Sequence, residues 1–333
     1  MTRRFRLKFI LKFAMWVLLP ILLAIAVITW SAAGRLLHPQ RRQLQGYQME
    51  WIKHPASHGM KVHAGQCVGG KVPCLFVAPD GQAGPKELGR VLRKQLVKEN
   101  AALRPYGETQ GILVLLHGRS GRKEDLLPIA ERFAAAGFKC VIPDLPAHGD
   151  SPLDGAHFAT APAERDIADK VLADARSYFG ERNSPAGIWG VSMGGAFAIN
   201  AVSQSPERWK AAVIVSSFDS LDDVVEDTLA FLPRPLPGLL DFSLGLMTRY
   251  RGGLALHDVH PDVWARKVTT PVLVAHGDRD QVIALKRGRH LFDALHSKDK
   301  SWLVVHGANH RNVLTTSAPL YARTSEWFIA HVR

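Results

Sequence analysis

Short apolar runs alternate with amphipathic stretches along most of the chain. The runs are apolar at nearly every position, which is typical of strands buried on both faces of a sheet. They lie at residues 111–116, 138–142, 186–191, 211–215 and 271–275. The amphipathic stretches space their apolar residues by three and four and so predict helices. They lie at residues 123–136, 163–179, 194–203 and 285–295. This alternation predicts a mostly parallel, doubly wound sheet flanked by helices.

Other segments extend or interrupt this pattern. Residues 49–77 contain short β-like pieces punctuated by glycines and predict early antiparallel strands, and residues 86–103 have the spacing of a surface helix. A strand at residues 302–305 and a helix at 320–332 close the chain. After the sixth predicted strand, about residues 217–268 contain the apolar stretch FLPRPLPGLLDFSLGLM with three prolines. We interpret this insertion as a lid.

The N-terminus carries the longest apolar run. From Phe13 to Ala33 the chain has no charged residue over 21 positions, which is long enough for a helix across a bilayer. Trp16 and Trp30 lie near its ends, where membrane interfaces favour tryptophan. We therefore predict a transmembrane anchor, or a signal peptide, at residues 13–33. Around this segment we predict a basic flank at 1–12, a polar spacer at 34–48 that lets the domain stand off the membrane, and one large domain at 49–333.

The charges around the apolar run predict its orientation. Five cations precede it and three follow it shortly after, so the positive-inside rule places the N-terminus in the cytoplasm and the domain outside. The alternative is a secreted protein, because the small residues Ser31, Ala32 and Ala33 are acceptable to a signal peptidase. We favour the anchor, since the apolar part of a signal peptide usually runs about 7–15 residues.

The charge and cysteine content limit the kinds of partner and scaffold that we expect. The formal net charge is +12, but residues 1–42 hold eight Lys or Arg and no acid, which leaves +4 on the rest. No basic run is interleaved with aromatic residues, so we expect no nucleic-acid partner. Cys67, Cys74 and Cys140 are too few for a disulfide scaffold. Cys67 and Cys74 are close enough for one bridge in an oxidising compartment, although buried free thiols are the expectation we favour.

A candidate nucleophile lies where a predicted strand meets a predicted helix. Residues 190–194 read G-V-S-M-G, with Ser192 at the centre. In a sharp strand-to-helix turn, glycines two positions before and after the serine relieve crowding and expose its hydroxyl. With further segments in the matching order, residues 60–333 resemble the α/β-hydrolase family, and the resemblance implies that fold and a serine hydrolase.

The resemblance also implies an oxyanion hole and a structural turn. The sequence L-L-H-G-R-S at residues 115–120 is similar to the family's His-Gly turn, so the backbone N–H groups of Arg119 and Met193 are the expected donors, with Ser120 as a substitute for Arg119. The sequence D-L-P-A-H-G-D-S at residues 144–151 is similar to another family turn, with Ala147 where glycine is usual. We interpret it, including His148, as structural.

The acid and base of a catalytic triad follow in the family's chain order. Asp280 lies three residues after Gly277 at the end of a predicted strand, and His310 follows the last strand. The resemblance implies that His310 is the general base and that Asp280 orients it. Asp278 and Asp219 are the competing acids. Histidine pairs such as His54 with His58 and His257 with His260 lack a convincing carboxylate or thiolate set for a metal, so we predict no metal and no cofactor.

The predicted reaction is hydrolysis of a small-molecule ester through an acyl-enzyme, in the carboxylesterase and lipase class EC 3.1.1. The apolar residues 231–247 suggest an acyl-binding roof, and a membrane tether would bring lipidic esters near. Two alternatives stay open: a membrane-anchored serine peptidase or amidase resembling prolyl oligopeptidases, and a catalytically silent binding protein on the same fold.

Overall fold

A computed structural model describes residues 3–81, 87–99, 101–316 and 318–333 of the chain. In these ranges eight strands form one sheet with the order β1-β2-β4-β3-β5-β6-β7-β8. The strands are β1 Met60–Cys67, β2 Val72–Pro79, β3 Gly111–Leu116, β4 Phe138–Pro143, β5 Ala186–Val191, β6 Ala211–Val215, β7 Val272–Gly277 and β8 Lys300–Val305. β2 pairs antiparallel with β1 and β4, and the other neighbours are parallel. The predicted mostly parallel sheet with early antiparallel strands is confirmed.

Helices lie on both faces of the sheet. The helices are α1 Arg3–Leu37, α2 Gly46–Lys53, α3 Glu87–Lys98, α4 Leu127–Ala135, α5 Pro162–Arg165, α6 Ile167–Phe179, α7 Met193–Gln204, α8 Leu221–Leu229, α9 Leu236–Gly252, α10 Pro261–Ala265, α11 Leu285–Ala294, α12 Val313–Thr316 and α13 Ala318–His331. Every residue of β3, β5, β6 and β7 is buried, because one core lies between the sheet and α6, α7 and α11, and a second lies under α3, α4 and α13. The two cores explain the continuous apolar runs in the sequence.

The segment between β6 and β7 forms α8, α9 and α10, and we call it the insertion. Arg287 of α11 attaches α8 to the body of the domain: its guanidinium donates to Asp227 at 2.7 and 3.0 Å and lies 2.9 Å from Asp223. These carboxylates raise the pKa of Arg287 above its usual value. Residues of the insertion between 221 and 244 line the same cavity as Ser192, which follows β5 at the carboxyl end of the sheet, where ligands bind in folds of this kind.

α1 is longer than the predicted anchor and continues to Leu37. Its part from Met15 to Leu37 is long and apolar enough to cross a membrane. In the most apolar 18 residues of this part, 17% are buried, whereas a core helix of a soluble domain is mostly buried. The buried positions Ile25, Thr29, Ala33 and Leu37 recur every four residues and form a stripe against α9.

The predicted spacer, residues 34–48, contacts the domain. Arg41 donates to the carbonyl oxygens of Gly149 and Ser151 at 3.2 and 2.7 Å, and the backbone N–H of Ala156 donates to Leu37 O at 2.8 Å. Polar composition alone does not reveal that a segment binds backbone carbonyls elsewhere in the chain.

The cysteines differ from the favoured expectation. Cys67 and Cys74 are joined by a disulfide that links the last residue of β1 to the third residue of β2, close to the hairpin turn, and Cys140 is a free, buried thiol. The expectation of free thiols is wrong for the first two and right for Cys140. The antiparallel pairing of β1 with β2 brings the two thiols together, and sequence spacing permitted but did not require it.

Candidate active site

Ser192 lies in a strained turn between β5 and α7. Its backbone has φ 55° and ψ −121°, a region that non-glycine residues rarely adopt. The glycines on either side are required sterically, since a Cβ on Gly190 would lie 2.2 Å from Gly194 O and one on Gly194 would lie 2.2 Å from Leu116 O. The turn holds the Ser192 side chain above the carboxyl end of the sheet, at the N-terminus of α7.

The structure brings Ser192, His310 and Asp280 into one hydrogen-bonded row. His310 Nε2 lies 3.1 Å from Ser192 Oγ, and His310 Nδ1 lies 2.8 Å from Asp280 Oδ2. With the proton on Nδ1, His310 donates to Asp280 and its Nε2 is free to accept from the serine hydroxyl. The loops after β5, β7 and β8 supply the three side chains, which explains why they are far apart in sequence.

The environment of Asp280 keeps it ionised. Its Oδ1 accepts from the backbone N–H groups of Val282 and Ile283 at 3.0 and 2.8 Å. Burial is the largest single influence and acts to raise the pKa of Asp280. The hydrogen bond to His310, the charge of His310, the backbone N–H of Ile283 and the charge of His276 together outweigh burial, and the net pKa is lowered. A buried carboxylate that stays negative can orient the imidazole and stabilise its cation.

The competing acids have other partners. Asp278 is exposed and accepts from His306 Nδ1 at 3.0 Å and from Gly307 N at 2.7 Å. Asp219 lies 3.1 Å from His290 Nδ1. Within the described residues, Asp280 is the acid whose carboxylate contacts His310.

The His-Gly turn lies directly beside Ser192. A Cβ on Gly118 would lie 3.3 Å from Ser192 Cβ, so glycine permits this close approach. His117 Nε2 accepts a hydrogen bond from Leu145 N at 3.0 Å, which connects the turn to the loop after β4. Burial lowers the pKa of His117, and a ring nitrogen that accepts a hydrogen bond belongs to a neutral imidazole. Met193 begins α7, and its backbone is therefore next to the nucleophile.

The loop after β4 has a structural role, as predicted. Asp144 is buried and accepts from the backbone N–H and from Nζ of Lys123 at 2.8 and 2.7 Å. A Cβ on Gly149 would lie 2.1 Å from Asp144 Oδ1. His148 is buried beside His117, and burial lowers its pKa to about 4, so it is neutral.

A cavity of about 1500 Å³ opens above Ser192 and His310. The insertion contributes apolar walls, which are Leu221, Val224, Val225, Leu229, Leu240 and Leu244. The His-Gly turn and the first turn of α7 form the floor through Gly118, Arg119 and Met193. The described residues hold no cluster of three or more His, Cys, Asp or Glu that fits a metal ion.

Sequence reasoning did not identify two contributors to this site. His276 on β7 lies 3.6 Å from Asp280 Oδ2, and its Nε2 donates to Ile283 O at 2.9 Å, which supports the loop that carries the acid. The other contributor is the end of α1, which lines the cavity through Ile28, Thr29, Ala32, Arg35 and Leu36. The sequence signal at His276 was its place beside Gly277; nothing in the sequence of α1 indicated a contact with the site.

This fold and this turn define an α/β-hydrolase of the serine-hydrolase class. The match to a family model described as serine aminopeptidase, S33, covers residues 107–240 and 241–314. The chain belongs to this family of α/β-hydrolases.

Individual relatives agree on the class. A monoacylglycerol lipase from Mycolicibacterium smegmatis is 24% identical, with 68% of this chain and 91% of that protein covered. A thermostable monoacylglycerol lipase from a Bacillus species is 23% identical, with 68% and 94% covered. The structure of an esterase from Pyrococcus furiosus shares the fold with a TM-score of 0.60 at 15% identity, over 90% of this chain and 99% of that one. The two lipase relatives indicate a hydrolase of the carboxylesterase and lipase type.

Proposed function

We propose that the protein hydrolyses carboxylic esters with an apolar acyl chain, such as monoacylglycerols, with Ser192 as nucleophile, His310 as base and Asp280 as orienting acid. The observation that carries this proposal is the 3.1 Å contact between Ser192 Oγ and His310 Nε2 at the floor of a large, mostly apolar cavity. The relatives named monoacylglycerol lipases support the same substrate class.

The reaction proceeds in two halves. His310 Nε2 takes the proton of Ser192 as Oγ attacks the acyl carbonyl, and the proton then passes to the departing alcohol as the ester C–O bond breaks. This leaves an acyl-enzyme and a free alcohol. Water, deprotonated by His310, attacks the acyl carbon, the Ser192 oxygen leaves with that proton, and the carboxylic acid is released.

Two backbone N–H groups stabilise the oxyanion of each tetrahedral intermediate. The donors in this proposal are those of Met193, in the first turn of α7, and Arg119, in the His-Gly turn, with Ser120 N as the substitute for Arg119. The N-terminus of α7 adds its positive dipole end. Loss of one such donor typically costs about 10²–10³ in rate.

The charges around the cavity favour esters over aminoacyl substrates. An aminopeptidase must bind a substrate ammonium group, and a carboxylate is the usual partner. Of the described lining residues Asp125 is the one acid, and its carboxylate accepts from Gln48 Nε2 and Arg122 N. The basic lining residues are Arg35, Arg42, Arg119, Arg132 and Arg311. These cations repel an ammonium and tolerate a carboxylic acid product.

A substrate panel tests the reaction. We expect the purified full-length protein in detergent to react with a fluorophosphonate probe and to hydrolyse p-nitrophenyl acyl esters with a kcat/KM at least about 10²-fold above that for aminoacyl p-nitroanilides. Competition between probe and ester reports that both use one site. A reversed preference would support the peptidase alternative, and a folded protein that neither reacts with the probe nor turns over esters would support a binding protein.

We further propose that α1 anchors the protein and that the domain lies outside the cytoplasm. The charge asymmetry around α1 supports this orientation, and the Cys67–Cys74 disulfide is typical of an oxidising compartment.

Thiol labelling tests the location. In protein denatured directly from cells under acid quench, we expect a maleimide to label Cys140 before reduction and all three cysteines after reduction. The Cys140→Ser variant is the control, since it should show no labelling before reduction and two labels after it. Complete labelling before reduction would place the domain in a reducing compartment.

A further inference from the structure

The C-terminal turns of α1 are part of the wall around the reactive serine. Ile28, Thr29, Ala32, Arg35 and Leu36 line the same cavity as Ser192 and His310. Apolar residues of α8 and α9 line the same cavity, so α1 forms part of the boundary of the space in which an acyl chain would lie. A membrane anchor that serves only as a tether needs no such contact.

Specific contacts hold α1 in this place. Thr29 Oγ lies 2.7 Å from Ser243 Oγ of α9, and Arg251 Nη1 donates to Trp30 O at 2.6 Å. A Cβ on Gly252 would lie 2.8 Å from Leu37 Cδ1, so the two helices approach closely at their ends. Because Thr29 and Leu37 are buried by this contact, α1 and the insertion pack as one layer.

α1 is also connected to the turn beside the nucleophile. Arg119 Nη2 donates to the carbonyl oxygen of Arg35 at 2.5 Å. Arg35 lies in the last turn of α1, where carbonyl groups lack helical partners and the helix dipole is negative, which favours a cation. The end of α1 thus contacts the loop that carries a proposed oxyanion donor.

The outer surface of the same helix pair is apolar. Leu239, Phe242, Leu246 and Tyr250 of α9 are between 42% and 79% exposed. The Tyr250 ring lies 6.2 Å from that of Trp30, so this surface is continuous with the exposed apolar side of α1. An apolar surface of this extent beside a helix long enough to span a bilayer fits lipid acyl chains.

We propose that residues 28–36 of α1 form a wall of the acyl-binding site, that α1 is therefore retained in the active enzyme, and that the acyl chain reaches Ser192 from the lipid beside α1 and α9. This inference rests on the proposed ester hydrolase function. Cleavage after Ala33 would remove Ile28, Thr29 and Ala32 from the wall and uncover the α9 side of the cavity. α1 is thus a determinant of acyl specificity.

Tryptophan substitutions at two alanines of α1 test whether this helix forms a wall of the acyl-binding site. Ala32 is half-buried and lines the cavity, whereas Ala24 is exposed on the same helix and is not among the lining residues. In Ala32→Trp we expect kcat/KM for a palmitoyl ester to fall about tenfold or more relative to that for a butyryl ester. The Ala24→Trp profile should match wild type, and labelling by a small fluorophosphonate should persist in both variants.

The outcomes separate this inference from the proposed function. If Ala32→Trp and Ala24→Trp are both labelled and show the same dependence of kcat/KM on acyl chain length, the proposal that α1 forms a wall of the acyl-binding site is wrong. Wild type that is folded yet inert to probe and esters would instead overturn the proposed function. If Ala32→Trp does not fold, Leu36→Ala provides the second variant: it enlarges the cavity, so an unchanged preference among butyryl, octanoyl and palmitoyl esters would overturn the proposal.

Determining the N-terminus of the active enzyme tests whether α1 is retained. We expect protein labelled by the fluorophosphonate in cells that produce the full chain to be found in membranes and to contain residues 15–37 by mass analysis. A labelled, active pool that begins after Ala33 and keeps the wild-type chain-length profile would overturn the proposal.

Discussion

Ser192→Ala is expected to lower ester hydrolysis on the order of 10⁴-fold or more and to abolish fluorophosphonate labelling, because the acyl-enzyme then has no nucleophile. The hydroxyl accounts for the effect, since alanine fits the strained turn as well as serine does. Residual hydrolysis would reflect binding and the oxyanion donors acting on water. The measurement is kcat/KM for a p-nitrophenyl ester together with in-gel labelling.

Ser203→Ala is the matched control for this change. Ser203 lies on α7 like the residues after the nucleophile, its Oγ donates to Asn200 O at 2.7 Å, and it is not among the residues that line the cavity. We expect its activity to stay within about twofold of wild type. Ester hydrolysis that survives in Ser192→Ala at the wild-type rate would assign the nucleophile to another residue.

Asp280→Asn is expected to lower kcat by about 10⁴-fold with little change in the thermal midpoint of unfolding. The asparagine oxygen can still accept from Val282 N and Ile283 N, so the loop keeps its hydrogen bonds. Its amide group, however, presents N–H toward His310 Nδ1. That nitrogen must then accept, Nε2 carries the proton, and His310 can no longer take the proton of Ser192.

Asp278→Asn provides the control in the same loop. Asp278 is exposed and binds His306 and Gly307, so its variant should retain kcat within about twofold of wild type. Asp219→Asn tests whether Asp219 is the catalytic acid instead. Asp219 lies 3.5 Å from Arg287 Nη1, so the thermal midpoint of unfolding must be measured to separate a loss of stability from a loss of catalysis. If Asp219→Asn lost kcat as a stably folded protein while Asp280→Asn did not, the acid would be assigned to the loop after β6.

Chain order and local pattern predicted much of the candidate site. Ser192, Asp280 and His310 each follow an apolar run that forms a strand, and the carboxyl ends of parallel strands meet at one edge of a sheet. Gly190 and Gly194 identified the turn, because only glycine avoids the backbone atoms there. The contribution of His276 was not predicted, because its place beside Gly277 does not show that its ring supports the loop that carries Asp280.

The sequence by itself determined the features that depend on near neighbours: the buried strands, the turn around Ser192, and the apolar length of α1. These follow from periodicity and steric demand over a few residues. Only the tertiary structure decided which aspartate faces His310, that Cys67 and Cys74 are joined, and that residues after Leu37 bind the domain. It also decided that α1 lines the cavity. Each of these depends on contacts between residues distant in the chain, and composition or spacing within one segment carries no information about its partner.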